Sequence, residues 1–342
     1  MKINITKKDD VSFIEIKNET KMEVILSTFG ASFYELRLPD KNNMVESIIL
    51  TPSNLNDFYY STGYYGKSVG RFCGRIDKAR CEINGKEYNL DINWNGVNSL
   101  HGGKDGISFQ NFDYEVIENE DSISVAFTYL EKANKLPGDV SYKIIYKIMR
   151  YSNDINLSFE ATTTEETIVN LTNHVYFNLS GDGKRNVLNQ QLQLLCDKYT
   201  RLNNELITIS IDNVNDVMDF RKLHEIGQYI YDESLQNHKA KGYDHCFLKE
   251  DESNPVVAVM KDLESGRKLT ISTSYPSIVC YAGCYPEKFL FNKEGFMIGQ
   301  YHSVCLECQY VPNGINMDDV FKAILKPNEK YQHYINYHFE IE

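Results

Sequence analysis

Residues 140–161 read VSYKIIYKIMRYSNDINLSFEA and contain two strand patterns separated by a turn. In Val140–Ile148, apolar side chains occupy every second position, which is typical of a strand with one buried face. The Ser-Asn-Asp sequence at 152–154 predicts the turn, because short polar side chains can bond their own backbone. The alternation resumes in Ile155–Ala161. The segment therefore predicts an antiparallel hairpin with one face in the core.

Strand patterns of this kind continue along most of the chain, whereas helical periodicity is scarce. The two helix candidates, Pro52–Tyr59 and Lys222–Gly227, are short, and Asn84-Gly85 predicts a type I′ hairpin turn. Many strands without intervening helices favour an antiparallel sandwich over a βαβ fold. We therefore predict an all-β protein, with one large antiparallel β-sandwich domain over residues 1–342 and few short helices. The other predicted strands are Val11–Ile16, Met22–Leu26, Ser32–Leu38, Cys81–Leu90, Phe112–Glu118, Ser122–Tyr129, Leu192–Leu195, His245–Lys249, Val256–Lys261, Lys268–Thr273, Val304–Gln309 and His333–Phe339.

The charge of the chain limits its partners. A formal net charge of -12 over 342 residues disfavours nucleic acid and anionic membrane surfaces as partners. The first ten residues lack the apolar segment of a signal peptide, and no apolar run approaches the roughly 18 residues of a membrane span. We predict a cytoplasmic monomer or homodimer with no nucleic-acid or membrane partner, whose eight cysteines are reduced thiols.

Four of the cysteines have a spacing that suggests zinc. Cys280 and Cys284 form a C-x3-C pair, and Cys305 and Cys308 form a C-x2-C pair. The second pair lies within a strand pattern, however, and residues three apart on a strand point to opposite faces. Zinc knuckles use a tight turn instead, so we predict no metal site at these cysteines.

Four distant segments each place an ionisable side chain within a short apolar or glycine-containing run. They are Asn98–Gly103 (NSLHGG), Asn170–His174 (NLTNH), Gly242–His245 (GYDH) and Leu306–Gln309 (LECQ). The candidate site residues in these runs are His101, His174, Asp244 and Glu307. Four such clusters spread over most of the chain suggest one pocket assembled from distant segments.

Taken singly, each of these residues also has an ordinary structural explanation. Arg71 and Arg75, in a glycine-rich loop, can bind sugar hydroxyls or carboxylates, but they can equally pair with core carboxylates. His101 can be a structural histidine, and Asp244 can cap a turn. Glu307 can lie on the solvated face of an edge strand, whereas on a central strand it needs a partner because burying an unpaired carboxylate is costly.

The segment Val169–Phe177 reads as one strand that places Asn170, Thr172, His174 and Tyr176 on the same face. Such a run of hydrogen-bonding side chains is typical of a site lining, since a solvated face more often carries Lys, Glu or Ser. His174 is the member best suited to exchange protons near neutral pH.

Together the clusters resemble those of the aldose 1-epimerase (galactose mutarotase) family, in the family's order and from about residue 5 to the C-terminus. The matching motifs are G-R-x-x-x-R-I at Gly70–Ile76, N-S-L-H-G-G at Asn98–Gly103, N-L-T-N-H-x-Y-F-N-L at Asn170–Leu179, G-Y-D-H at Gly242–His245 and L-E-x-Q-x-x-P at Leu306–Pro312. The resemblance implies a galactose mutarotase-like β-supersandwich. It also implies an isomerase that interconverts the α and β anomers of a free hexose, galactose or glucose, without a cofactor or a metal.

The resemblance further implies a role for each ionisable residue. Glu307 resembles the general base and His174 the general acid, while His101 resembles a second histidine near the ring oxygen. Arg75 and Asp244 resemble residues that bind sugar hydroxyls. Ring opening removes a proton from the C1 hydroxyl and delivers one to the ring oxygen. Unperturbed pKa values of about 4.3 for Glu and about 6.5 for His predict an ionised Glu307 and a partly protonated His174 near neutrality.

Three departures from the family pattern leave the preferred sugar open. Gly74 stands where the family often has asparagine, and Val279 aligns with a common glutamine. The family's tryptophan after the H-G-G segment aligns with Phe109 or Phe112.

Three alternative functions remain open on the sequence. The first is a non-catalytic or regulatory sugar-binding protein on the same fold, which would not need both His174 and Glu307. The second is a relative that acts on a hexose phosphate, for which the clusters offer only Arg71, Arg75 and Lys67 as phosphate ligands. The third is a glycosidase that uses Asp244 and Glu307 as paired carboxylates.

Overall fold

The computed structural model describes residues 1–251, 253–287 and 289–342. Strands dominate the structure, and its two α-helices are short: α1 (Leu55–Tyr60) and α2 (Glu233–Gln236). The strands in chain order are β1 (Lys2–Lys8), β2 (Val11–Lys17), β3 (Glu23–Ser27), β4 (Ser32–Pro39), β5 (Val45–Ser47), β6 (Ser68–Val69), β7 (Arg75–Ile76), β8 (Arg80–Ile83), β9 (Lys86–Asn89), β10 (Ser99–Leu100), β11 (Asp113–Glu118), β12 (Ser122–Glu131), β13 (Val140–Met149), β14 (Asp154–Thr163), β15 (Thr167–Ile168), β16 (Thr172–Asn173), β17 (Tyr176–Phe177), β18 (Gln191–Leu194), β19 (Lys198–Leu202), β20 (Thr208–Asn213), β21 (His224–Glu225), β22 (Asp244–Leu248), β23 (Val256–Lys261), β24 (Arg267–Thr273), β25 (Ser277–Tyr281), β26 (Val304–Gln309), β27 (Ile324–Leu325) and β28 (Tyr331–Ile341).

Three large sheets contain most of these strands. One has five strands in the order β1-β2-β3-β4-β5, and one has nine in the order β11-β12-β13-β14-β28-β24-β23-β18-β21. The third has six strands in the order β17-β26-β25-β22-β19-β20. Neighbouring strands in all three pair antiparallel. The predicted all-β, antiparallel fold with few short helices is confirmed.

The local turn and hairpin predictions are confirmed as well. The hairpin predicted in residues 140–161 is formed by β13 and β14, which pair from Val140 opposite Thr163 to Ile148 opposite Ile155. Asn84 and Gly85 have φ angles of 51° and 73°, the left-handed conformation that both central residues of a type I′ turn require.

One helix prediction fails, and one strand was missed. The helix predicted at Lys222–Gly227 is wrong, because residues 224–225 form β21 at the edge of the nine-stranded sheet, where His224 lies opposite Leu192. The segment is too short for a helix to form on its own, so pairing with a neighbouring strand determines its conformation. Strand β1 was not predicted, because it is mostly exposed and carries little of the apolar alternation that reveals a buried face.

A single large apolar cluster includes residues from all three sheets, among them Ile14, Tyr146 and Leu306. The sheets therefore pack on a shared core, as the layers of a sandwich do. This packing agrees with one domain over residues 1–342, which stays a prediction. None of the helices in the described part of the chain has the length and apolar character needed to cross a bilayer.

Arg267 at the start of β24 connects the nine-stranded sheet to the five-stranded one. Its side chain is fully buried, and its guanidinium donates to the Glu46 carboxylate at 3.0 Å and to the Leu38 carbonyl at 2.9 Å. A third bond goes to the carbonyl of Leu179 at 3.2 Å. The guanidinium is therefore paired on several sides, as a buried charge must be.

We expect Arg267→Met to lower the free energy of unfolding by about 3–5 kcal/mol, because it removes the fully buried partner of the Glu46 carboxylate, which then keeps only the partly exposed Lys184 ammonium. The matched control is Lys268→Met, on the next residue, where the partly exposed ammonium group pairs with Glu340 and Glu342. That change should cost no more than about 1 kcal/mol. Urea denaturation of both variants measures the difference, and equal losses would contradict the connecting role of Arg267.

Candidate active site

Glu307 lies on β26, an inner strand of the six-stranded sheet, which pairs with β25 at Glu307 and with the two-residue β17 at Val304 and Cys305. The residue is 3% exposed. The register places Val279 beside Glu307 and Cys246 beside Val279, so three neighbouring strands contribute one row of the pocket floor. The interpretation of Glu307 as a solvated edge residue is therefore excluded.

His174 projects into the same pocket from a segment held by backbone hydrogen bonds. The His174 amide donates to the Lys67 carbonyl at 2.9 Å, and the Gly66 amide donates to the His174 carbonyl at 2.9 Å. The His174 Nε2 atom lies 3.5 Å from Glu307 Oε1. Its Nδ1 atom lies 3.5 Å from the sulfur of Cys305. The predicted acid and base are thus direct neighbours.

The continuous strand predicted over Val169–Phe177 is wrong. Strand β16 pairs with β6 and β17 pairs with β26, so the chain crosses between two sheets and His174 lies at the crossing. Asn170 does not line the pocket, because its amide donates to the Tyr310 carbonyl and its side-chain oxygen accepts from the Tyr310 amide. His174 and Tyr176 do line it. Alternation alone could not reveal a change of pairing partner within the segment.

His101 and Gly74 hold each other in place. The His101 amide donates to the Gly74 carbonyl at 3.1 Å, and the Gly74 amide donates to His101 Nδ1 at 3.2 Å. Because Nδ1 accepts, the proton of the neutral imidazole is on Nε2. Burial holds the pKa of His101 well below its usual value, and the neighbouring His174 and Arg75 act in the same direction. His101 therefore offers one fixed N–H donor.

His101, His174 and Glu307 bring three possible metal-ligand atoms within 4.8 Å of one another. A histidine ligand needs an unprotonated ring nitrogen, however, and the hydrogen bond from Gly74 fixes the tautomer of His101 with its proton on Nε2. The group suits proton donation and acceptance better than metal binding. The absence of a metal and of a cofactor stays a prediction.

Arg75 and Asp244 also line the pocket, where they form a polar wall. The Arg75 guanidinium lies 3.1 Å from the Asp244 carboxylate and 2.8 Å from the Tyr285 hydroxyl. The Tyr285 hydroxyl in turn donates to Asp244. The guanidinium also lies over the ring of Trp94, 4.5 Å from its centroid. These contacts fix donors and acceptors in advance, an arrangement that suits sugar hydroxyls.

Burial changes the protonation expected of the acid–base pair. It raises the pKa of Glu307 to about 8, with the Asp244 charge adding to the rise and Arg75 opposing it. It also lowers the pKa of His174 to about 4. The predicted ionised Glu307 and partly protonated His174 are therefore wrong for the free site, where both groups are mainly neutral at pH 7. The cause is desolvation, which disfavours each charged form.

The other two cationic candidates are engaged outside the pocket. Arg71 pairs with Glu131 at 3.0 Å and donates to the Pro137 carbonyl at 2.8 Å, so the structural explanation holds for it. The buried Lys67 ammonium donates to the Tyr59 carbonyl at 2.9 Å. Of the three cationic candidates, only Arg75 lies in the pocket.

Several pocket residues were not predicted. The indole in the site is Trp94, the only tryptophan of the chain, whereas Phe109 and Phe112 lie outside the described pocket lining. Tyr285 was also missed. A lone tryptophan between two asparagines was a usable signal for Trp94, but Tyr285 stands in no motif and reaches Arg75 only through tertiary packing.

The two other departures from the family pattern lie in the pocket. Gly74 has a φ of 75°, and a Cβ atom built on it would lie 2.5 Å from the Pro312 Cβ, so this backbone favours glycine. Val279 places an apolar side chain beside Glu307. Because both positions lie within the site, they can affect which sugar is preferred. That effect stays a prediction.

A family model described as aldose 1-epimerase matches residues 12–338. The chain belongs to the aldose 1-epimerase family. It is 30% identical over 326 residues to the galactose mutarotase of Bos taurus, covering 94% of this chain and 92% of that protein. It is 29% identical over 342 residues to an aldose 1-epimerase of Streptococcus thermophilus, covering 96% and 94%. The predicted family and the predicted isomerase class are confirmed.

Solved structures of the family share the fold. The structure is similar to an aldose epimerase homologue from C. elegans, with a TM-score of 0.84, 27% identity and coverage of 97% of this chain and 99% of that one. It is equally similar to a galactose 1-epimerase from Lactobacillus acidophilus NCFM, with a TM-score of 0.84, 25% identity and 99% coverage of both chains.

We expect the carboxyl group of Glu307 to titrate near pH 8, because it is buried beside Asp244. Carboxyl ¹³C NMR of the free protein measures this pKa directly. Asp244→Asn should lower the pKa of Glu307, because it removes a neighbouring negative charge that disfavours the second one. An ordinary pKa near 4 in the unmodified protein would contradict the burial argument.

Proposed function

We propose that this protein is an aldose 1-epimerase that interconverts the α and β anomers of a free hexose, galactose or glucose, by opening and reclosing the ring. The observation that carries the proposal is the buried pair of Glu307 and His174, with 3.5 Å between the carboxylate oxygen and Nε2. Membership of the family supports the activity.

In this mechanism Glu307 takes the proton of the C1 hydroxyl while His174 delivers a proton to the ring oxygen. The C1–O5 bond breaks and leaves an open-chain aldehyde. Rotation about C1–C2 then presents the other carbonyl face, and the two residues exchange roles as the ring closes. The N–H of His101 and the fixed groups of Arg75 and Asp244 hold the ring oxygen region and the hydroxyls in place.

The two groups need only one proton between them. The pKa is about 8 for Glu307 and about 4 for His174. The pair therefore holds one proton between pH 4 and pH 8, two protons below pH 4 and none above pH 8. In the free site that proton is on Glu307. Its transfer across 3.5 Å to His174 produces the ionised base and the charged acid. Desolvation disfavours both charges in the free site, and hydrogen bonds from a bound sugar stabilise them.

The geometry disfavours the alternative functions. A hexose phosphate would need several cationic ligands, but Arg71 and Lys67 are engaged outside the pocket. A glycosidase would need Asp244 as a second reacting carboxylate, but Asp244 is paired with Arg75 and Tyr285. A sugar-binding protein without activity would have no use for an adjacent buried acid and base.

We infer a neutral monosaccharide as the substrate, because the pocket offers hydroxyl-binding groups and, among the described residues, Arg75 as its one Lys or Arg side chain. Cytoplasmic location, a monomeric or homodimeric state and the absence of nucleic-acid partners stay predictions.

We expect Glu307→Gln and His174→Asn each to lower kcat for mutarotation by about 10²–10⁴-fold, the usual contribution of a positioned acid or base. Polarimetry of freshly dissolved α-D-galactose and α-D-glucose measures the rate. The overall fold should persist, because Glu307→Gln keeps the size of the buried side chain and His174→Asn replaces the imidazole with a smaller side chain that is still polar.

The matched control is His333→Asn. His333 is a partly buried histidine outside the pocket that stacks on Tyr275, with 4.1 Å between ring centroids, and bonds to the Tyr310 hydroxyl. This variant should keep its activity per folded molecule even if its stability falls. Full activity in either Glu307→Gln or His174→Asn would exclude the proposed mechanism.

A further inference from the structure

Gln309 is a buried amide in the pocket that has no assigned role. It follows Glu307 by two residues on β26, so both side chains project from the same face of the sheet. The side chain is 0% exposed and lines the pocket. Within residues 1–251, 253–287 and 289–342, no group bonds to its amide oxygen or its amide nitrogen.

Burial alone does not explain these unpaired atoms. Gln190, another buried glutamine, donates to the Asn178 side chain at 2.7 Å and accepts from the Leu179 amide at 3.1 Å. Buried polar atoms are nearly always paired, because an unpaired one loses its hydration without compensation. In a pocket that binds a polar molecule, the ligand can supply the hydrogen-bond donor and acceptor that such an unpaired amide lacks.

The neighbours of Gln309 do not compete for its amide. Ser277 lies opposite it on β25, but the Ser277 hydroxyl donates to the backbone carbonyl of Gln309. The adjacent row of the floor carries Val279 and Cys246, which offer no strong hydrogen-bonding group. The amide is therefore free to bind a substrate.

The order of residues along β26 indicates which part of the sugar it meets. His174 contacts Cys305, on the N-terminal side of Glu307, and Gln309 lies on the C-terminal side. The anomeric carbon carries the C1 hydroxyl, the ring oxygen and C2. If Glu307 meets the C1 hydroxyl and His174 meets the ring oxygen, C2 lies on the side opposite the ring oxygen, towards Gln309.

We propose that Gln309 binds the hydroxyl on C2, with its amide oxygen accepting the hydroxyl proton and its amide nitrogen donating to the hydroxyl oxygen. The inference rests on the proposed function, because it uses the roles of Glu307 and His174 to orient the sugar. Gln309 is then a substrate-binding residue that selects aldoses with a C2 hydroxyl and holds C2 while the C1–O5 bond opens.

The test compares two proteins on two sugars. The kcat/KM values of wild type and Gln309→Met are measured by polarimetry on the hexose that the wild type converts, galactose or glucose, and on its 2-deoxy analogue. Each rate is divided by the uncatalysed rate of the same sugar. We expect Gln309→Met to lose roughly 10- to 100-fold with the parent sugar, because two hydrogen bonds are lost. With the 2-deoxy sugar the loss should be less than about 2-fold, since no bond to C2 remains to be lost.

Tyr285→Phe is the matched control, because it removes a hydrogen-bonding hydroxyl from the Arg75–Asp244 wall instead. Its loss should be the same with both sugars. If Gln309→Met loses the same factor with both sugars, the proposal is overturned. It is also overturned if Gln309→Met keeps its loss with the 2-deoxy sugar but shows none with a sugar that lacks a different hydroxyl. If Gln309→Met does not fold, Gln309→Asn, which withdraws the amide by one methylene, replaces it with the same expectation.

Failure of the proposed function gives a different result. In that case the wild type accelerates neither parent sugar, and calorimetric binding replaces kinetics. If Gln309 binds the C2 hydroxyl, the wild type should still bind the parent sugar more tightly than the 2-deoxy sugar. Gln309→Met should bind the two sugars with equal affinity. Equal affinities in the wild type would overturn the contact with C2.

Discussion

The carboxyl group of Glu307 is buried on a strand that is paired on both sides, and most features of the site follow from this placement. An ionised carboxylate there would be costly without a partner, so burial raises its pKa to about 8 and keeps the proton on it at neutral pH. The same environment lowers the pKa of His174 to about 4. The two groups are thereby arranged to pass one proton between them, and a molecule that provides polar groups at the right positions lowers the cost of that transfer.

The fold provides this environment by bringing sheet and loops together. The six-stranded sheet supplies the floor, where Glu307, Val279 and Gln309 project from adjacent strands in fixed register. The loops and short strands that cross above it supply His174 and His101, each held through backbone hydrogen bonds. A sheet with fixed register and loops held by hydrogen bonds position the reacting groups with the accuracy that catalysis requires.

Sequence reasoning succeeded where the information is local. Alternation revealed β13 and β14 because a strand buried on one face has a period of two. Asn84-Gly85 revealed its turn because a type I′ turn needs a positive φ at both central residues, which few residue types adopt readily. His101, His174, Asp244, Glu307 and Arg75 were identified by their chemistry in unusual surroundings and by resemblance to a family, and the structure brings all five into one pocket.

It failed where the information is tertiary. Tyr285 reaches Arg75 across 210 positions in the sequence, which no local pattern encodes. The segment around His174 changes its pairing partner, so the predicted strand breaks into two. The protonation of Glu307 and His174 depends on how much water their surroundings exclude, a property of the packed structure and not of the residues themselves.

The central claim is that Glu307 and His174 share one proton during ring opening, and the pH dependence of kcat/KM tests it most directly, because this quantity reports the ionisations of the free enzyme. Measured for the converted hexose and corrected for uncatalysed mutarotation, kcat/KM should be bell-shaped, falling below about pH 4 as His174 gains a proton and above about pH 8 as Glu307 loses one. A rate that follows a single ionisation near pH 4 and stays constant through pH 9 would show a carboxylate that is already ionised, and would contradict the shared proton.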